Sequence, residues 1–157
     1  MRLLIDGHNL IPKVPGMSLQ AIDDEDRLVE ALQVYCRVRR QALEVFFDQA
    51  PAGRAGARKA GQVTVRYVQQ GKTADQAIIE RLRGLGKAAR ECRVVSSDRR
   101  VRAEAKDLGA TLVTSEQFAA ELIEARYQAQ AAQNENPAPP AEAEIEEWLR
   151  LFKNRKP

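Results

Sequence analysis

The chain has 157 residues, 44% hydrophobic and 30% charged, with a formal net charge of +3; this is the profile of one globular domain rather than a disordered chain. No apolar run approaches the roughly 18 residues that span a bilayer, and residues 1–11 hold only a short apolar stretch before Asp6, so neither a membrane span nor a secretory signal is expected and the chain reads as cytoplasmic. A single histidine, His8, and two distant cysteines, Cys36 and Cys92, exclude a His/Cys zinc site and a disulfide scaffold, and leave carboxylates as the main donors for any metal, which favours magnesium or manganese.

Short apolar runs alternate with helical periodicity along the chain. Residues 2–5 predict a strand ending at Asp6-Gly7. Residues 24–40 predict a helix with Leu28, Ala31, Leu32, Tyr35 and Val38 on one face, its first turn crowded by Asp23, Asp24, Glu25 and Asp26, where acids suit the helix dipole. Residues 43–47 predict a second strand ending at Asp48, followed by a Gly/Ala/Arg-rich loop up to a third strand at 63–68. Thr73 to Gln76 has the form of a capping box, opening a helix with Ile78, Leu82, Leu85 and Ala89 on one face. A fourth strand at 93–96 precedes Asp98 and a helix bearing Val101, Ala105 and Leu108; a fifth strand at 111–113 leads to a helix capped by Ser115 and carrying Phe118, Leu122 and Ala125. Such alternation implies right-handed βαβ units, an α/β class and a parallel sheet covered on both faces. The domain is read as residues 1–133, a Pro-rich linker as 134–141, and a C-terminal amphipathic helix as 142–157, with Ile145, Trp148, Leu149 and Phe152 on one face.

Charge is uneven. Residues 49–74 contain Arg54, Arg58, Lys59, Arg66 and Lys72 and no acid, which suits a polyanion through phosphate neutralisation or, more simply, a solvated surface. Four acids fall at equivalent places. Asp6 and Asp48 end strands, Asp98 follows one, and Asp75 lies in the first turn of the helix after the third strand. Open α/β sheets bind ligands outside the carboxyl ends of their strands, so these acids are expected to converge there. One such Asp alone would be read as a helix cap or turn residue. Four gathered together repel, and a hard divalent cation is the simplest compensation, able also to activate a water. Neither a P-loop nor a dinucleotide-binding fingerprint is present in the glycine-containing stretches.

Five segments in order carry a family resemblance: Leu4-Ile5-Asp6-Gly7-His8-Asn9-Leu10-Ile11, Val45-Phe46-Phe47-Asp48, Gly71-Lys72-Thr73-Ala74-Asp75, Val95-Ser96-Ser97-Asp98-Arg99, and Gly109-Ala110 with Ser115-Glu116-Gln117-Phe118. Together they resemble the NYN domains of the PIN-like nucleases, the YacP-like subfamily best, over about residues 1–130. That family typically opens Asp-Gly-Tyr-Asn, so His8 is a departure from its pattern. The resemblance implies a PIN-like three-layer α/β/α sandwich with a five-stranded parallel sheet of order 3-2-1-4-5. It also implies a Mg2+- or Mn2+-dependent endoribonuclease with ribosome-bound messenger RNA as a target. Carried over by position, Asp6, Asp75 and Asp98 hold the metal and Asn9 orients a carboxylate or contacts the scissile phosphate. Asp48, Ser97, Arg99 and His8 support the site. Arg54, Arg58, Lys59 and Lys72 are expected to hold the RNA backbone, the basic loop leaving the sheet at the same edge as the acids. Alternatives are a non-catalytic RNA- or ribosome-binding module of this fold and a PIN-type toxin. The C-terminal helix is a candidate for packing in cis or for a homodimer contact, and no membrane partner is expected.

Overall fold

The computed structural model describes residues 2–19, 23–48, 55–133 and 150. The elements are β1 (Arg2–Asp6), α1 (Gly7–Leu10) running into a 3-10 turn at Ile11–Lys13, α2 (Asp24–Arg39), β2 (Leu43–Phe47), β3 (Gly56–Ala60), β4 (Val63–Tyr67), α3 (Ala74–Leu85) with a 3-10 turn at Gly86–Glu91, β5 (Cys92–Val95), α4 (Arg99–Asp107), β6 (Thr111–Val113) and α5 (Ser115–Gln133). The six strands lie in the order β3-β4-β2-β1-β5-β6. All neighbours pair in parallel except β3, which runs antiparallel to β4.

The α/β class holds, and the five parallel strands follow the expected order. The strand count is corrected from five to six, because part of the expected loop after β2 is strand β3. Its sequence, Gly-Ala-Arg-Lys-Ala, is exposed nearly throughout. An edge strand that buries neither face needs no apolar alternation, so it leaves no period-2 signal. A hairpin through Gly61, at φ +63°, returns it to β4, a left-handed conformation that glycine adopts without a Cβ penalty.

Side chains alternate between the two faces of the sheet. Leu3, Ile5, Val45, Phe47, Val63 and Val65 pack with Leu28, Leu32 and Tyr35 of α2 and Phe118 and Leu122 of α5. Leu4, Phe46 and Val94 pack with Ile78 and Leu82 of α3 and Val101 and Ala105 of α4. Two apolar layers against one sheet make the expected three-layer sandwich.

Local signals fix the helix starts. Thr73 and Gln76 make the reciprocal capping box predicted for α3. At α5 the cap is Thr114, not Ser115: Thr114 Oγ1 accepts from the Gln117 N–H, and Gln117 Oε1 accepts from the Thr114 N–H, both at 3.0 Å. The Ser115 hydroxyl is released for a long-range contact. Ala89, expected on α3, lies in the following 3-10 turn and is still buried. The expected linker at 134–141 and C-terminal helix at 142–157 lie outside the described residues, apart from the helical Arg150.

Candidate active site at the carboxyl edge of the sheet

The centre is the turn from β1 into α1. Asp6 is the last residue of β1 and caps α1, its Oδ1 accepting from the Asn9 N–H at 3.3 Å. The turn presses against β2. A Cβ placed on Gly7 would stand 2.2 Å from Cε1 of Phe47, so only glycine lets α1 sit this close. The ring of Phe47 also packs on His8, with centroids 5.3 Å apart.

Asp6 is buried, at 6% exposure. Asp75, in the first turn of α3, brings its carboxyl into hydrogen-bonding reach of that of Asp6. Burial, then the hydrogen bond and charge of Asp75, push the Asp6 carboxyl up from 3.8 to about 7; the charge of Asp48 adds to the rise, and the Asn9 N–H opposes it. Two carboxyl groups held in contact, one of them buried, share a proton or gain from a cation.

His8 is clamped. Its Nδ1 stands 2.7 Å from Oδ1 of Asp48, and its Nε2 stands 2.5 Å from Oε2 of Glu25 on α2. Burial disfavours the imidazolium, but the two carboxylates outweigh it and the pKa is raised. With an acceptor at each nitrogen the ring is held as a two-fold donor. Asp48 is thereby engaged on His8 while still lending charge to Asp6.

A second knot holds the β5–α4 turn. Asn9 Oδ1 accepts from the Ser97 N–H at 2.9 Å and from the Ser115 hydroxyl at 2.5 Å. Ser97 donates its hydroxyl to Glu116 at 2.7 Å, and Lys13 pairs with the other oxygen of Glu116 at 3.2 Å. Burial works against the Glu116 carboxylate, but Ser97 and Lys13 prevail and its pKa is lowered. Asp98 caps α4, accepting from the N–H groups of Arg100 and Val101. Arg99 is exposed on the first turn of α4.

The predicted residues therefore divide. Asp6 and Asp75 meet, with Asp48 close enough to act on Asp6. Asn9 and Ser97 join β1 to α5 and to the turn that carries Asp98. Among the described residues, no three His, Cys, Asp or Glu side chains are gathered as a ready-made metal site. The Asp6–Asp75 pair has donor chemistry that fits a hard cation: oxygen ligands and mutual repulsion, with Asp6 buried and Asp75 half-buried.

The basic residues are placed differently from expectation. Arg54 lies outside the described residues. Arg58 and Lys59 are on β3, which turns back from the acid edge; Lys59 stands level with Thr64 near the start of β4. The basic segment does not stay beside the acids because hairpin pairing reverses its direction. Lys72 is exposed and pairs with Glu80 at 3.1 Å. Reasoning from the sequence missed Glu25, Lys13, Ser115 and Glu116 as members of this edge. Glu25 and Glu116 sit in helix first turns, where acids already have a dipole explanation, and nothing local marks them further.

No helix among the described residues is long and apolar enough to cross a membrane. No curated protein matches the chain. Its structure is similar to two crystal structures of Rae1 (YacP) from Bacillus subtilis. One is a tryptophan-to-leucine mutant, with a TM-score of 0.69 and 22% identity over 96% of this chain and 92% of that one. The other has a TM-score of 0.66 and 22% identity over 98% of this chain and 93% of that one. Residues 3–152 match the YacP-like NYN domain. That match runs through nearly the whole sequence, including every acid at the sheet edge, and the protein belongs to the YacP-like NYN domain family, whose fold is of nuclease type.

Proposed function

We propose that the protein is a metal-dependent endoribonuclease acting in the cytoplasm, with messenger RNA on the ribosome as its target. One observation carries the reading: the contact of buried Asp6 with half-buried Asp75, with the Asp6 carboxyl raised to about 7. Burying the Asp6 carboxyl against that of Asp75 at the ligand edge of a parallel sheet costs stability, and function is the usual reason such a cost persists.

Asp6 and Asp75 would hold one or two Mg2+ or Mn2+ ions, which supply charge neutralisation and an activated water when bound. Asp98, aimed by its cap bonds and by the Asn9–Ser97 contact, would complete the acid edge once the scissile phosphate is seated. In the reaction, water oxygen bonds to phosphorus and gives up a proton, one P–O ester bond breaks, and the leaving oxygen takes up a proton in its place. His8, held between Asp48 and Glu25, would balance the charge of Asp48, which itself acts on Asp6. Exposed Arg58, Lys59, Lys72 and Arg99 would contact RNA backbone, contributing position rather than sequence choice. Residues 142–157 are proposed as the contact to the ribosome or to a second copy.

The deciding experiment is cleavage of mixed-sequence RNA with added Mn2+ or Mg2+, alongside Asp6→Asn, Asp75→Asn and a chelated control. Metal-dependent cutting that both variants lose supports the proposal. Metal-independent cutting, or cutting that survives both substitutions, overturns it. The engagement of Asp98 as a helix cap favours a second reading, a non-catalytic RNA- or ribosome-binding module; that reading expects RNA binding with no cutting, also when translating ribosomes are the substrate.

A further inference from the structure

A second polar cluster stands at the opposite edge of the sheet. Glu44, buried at 6% exposure in β2, is surrounded by arginines from three elements. Arg66 Nε of β4 lies 2.5 Å from it, Arg81 Nε of α3 3.1 Å and Arg2 Nε of β1 3.7 Å. Burial opposes the Glu44 carboxylate, but Arg81 and Arg66 prevail and hold its pKa below the ordinary value. Above this cluster opens a cleft of about 320 Å³ whose lining includes Arg2, Glu44, Lys59, Thr64, Arg66 and Arg81. Its floor is the half of the sheet formed by β2, β4 and β3, and its wall is α3.

The charges do not balance. One carboxylate faces three guanidinium groups, and Lys59 adds a cation that makes no ion pair or hydrogen bond among the described residues. Arg66 spends its Nε on Glu44, leaving its terminal nitrogens for another partner. Glu44 thus works as a hub that holds the arginine forks in place while supplying too little negative charge to neutralise them. A fixed guanidinium fork matches the oxygens of a phosphate group.

We propose that this cleft is a phosphate-binding subsite that grips the RNA backbone away from the acid pair. The inference rests on the ribonuclease reading and adds to it where the strand runs. Arg2 and Asp6 stand at opposite ends of β1, and both side chains fall on the face covered by α3, since residues at even spacing share a face. Asp75 and Arg81 likewise stand six residues apart on α3, about 9 Å along its axis. Cleft and acid pair therefore stand at opposite ends of the layer that α3 makes with the sheet, about 13 Å apart along β1, a span that a single RNA strand would cross around the covered residues Leu4 and Phe46. A lipid surface is disfavoured, because the exposed large hydrophobic residues among the described residues, Leu19 and Tyr127, do not line the cleft.

The test is the salt dependence of binding of a short labelled single-stranded RNA to the full chain by fluorescence anisotropy, without divalent metal. Lys59→Ala and Arg66→Gln are compared with Lys106→Ala, a control at an exposed position of α4. Lys59 is exposed on an edge strand, so its removal leaves the fold intact even if Arg66→Gln unsettles Glu44. Each cleft variant is expected to weaken binding about 3- to 10-fold and to flatten the slope of log K against log salt by about 0.7, the value of one phosphate contact on a single strand; the control changes neither. If the wild type binds RNA and both cleft variants match it in affinity and slope, the cleft assignment is overturned while the ribonuclease reading stands. If the wild type binds no RNA at all, that reading fails and the cleft assignment falls with it.

Discussion

Asn9 Oδ1 accepts the Ser115 hydroxyl across 106 residues of chain, at 2.5 Å, and the same oxygen accepts the Ser97 N–H at 2.9 Å. One side-chain oxygen thus ties the first turn after β1 to the turn after β5 and to the start of α5. Ser115 is fully buried, so Asn9→Ala strands a buried donor. The expected loss is about 2–3 kcal/mol in urea unfolding, the cost of leaving such groups unpaired. Asn9→Asp, which keeps the acceptor, is expected to lose less at pH 5 than at pH 8, where its charge adds to that of Asp6.

Asp6→Asn is expected to stabilise the protein at neutral and alkaline pH. The Asp6 carboxyl is raised from 3.8 to about 7, so the folded state binds its proton more tightly than the unfolded state does. That contribution is complete below the unfolded pKa and is lost as pH rises through the folded value. Asparagine keeps an oxygen to cap α1 and carries no charge. Urea melts should show the variant more stable by on the order of 1–3 kcal/mol at pH 8, with the difference shrinking toward pH 5. A variant less stable than wild type at pH 8 would contradict the repulsion.

Divalent cation should act on the same pair. Mn2+ is expected to raise the wild-type Tm, since a ligand at about 100 times its Kd adds about 2.7 kcal/mol. Asp6→Asn and Asp75→Asn should show little or none of this shift. An equal shift in wild type and both variants would place the cation elsewhere.

His8 is the only histidine in the chain, so its ring carbon–proton NMR signal can be followed without assignment ambiguity. Asp48 and Glu25 raise its pKa against the effect of burial. The titration should fall above the ordinary 6.5, and Asp48→Asn should move it down. Because the folded-state value is raised, the clamp stabilises the fold below the unfolded pKa, and that stabilisation is lost as pH rises through the folded one. His8→Ala should therefore cost more stability at pH 6 than at pH 9.

Gly7→Ala tests the close approach of α1 to β2. The added methyl would meet the Phe47 ring at 2.2 Å, and Phe47 is fully buried. Overpacking of this kind costs about 1–3 kcal/mol, read as a lower urea midpoint. The shift it forces on α1 should also weaken the Mn2+-induced rise in Tm. Gly84→Ala, with open space at that position, should not destabilise.

The sequence by itself determined the class and the order of the five parallel strands. Their apolar runs and the 3.6-residue stripes of α2, α3, α4 and α5 are set by burial, and burial repeats with a period that can be read locally. It also placed Asp6, Asp48, Asp75 and Asp98 at strand ends and helix starts, since those positions follow from element boundaries. Tertiary structure alone decided which acids meet. Asp75 reaches Asp6 because α3 packs across β1 and β2, whereas Asp98 is engaged by its own helix and Asp48 by His8. The same holds for β3, an exposed edge strand that pairs only because β4 offers a free edge, and for the turning of Lys59 away from the acids. Glu44 shows the limit most plainly. In sequence it is one acid inside an apolar strand, and only the approach of β1, β4 and α3 makes it the hub of an arginine cluster. Hydrogen bonds and charge contacts between distant segments have no period, so no local pattern encodes them.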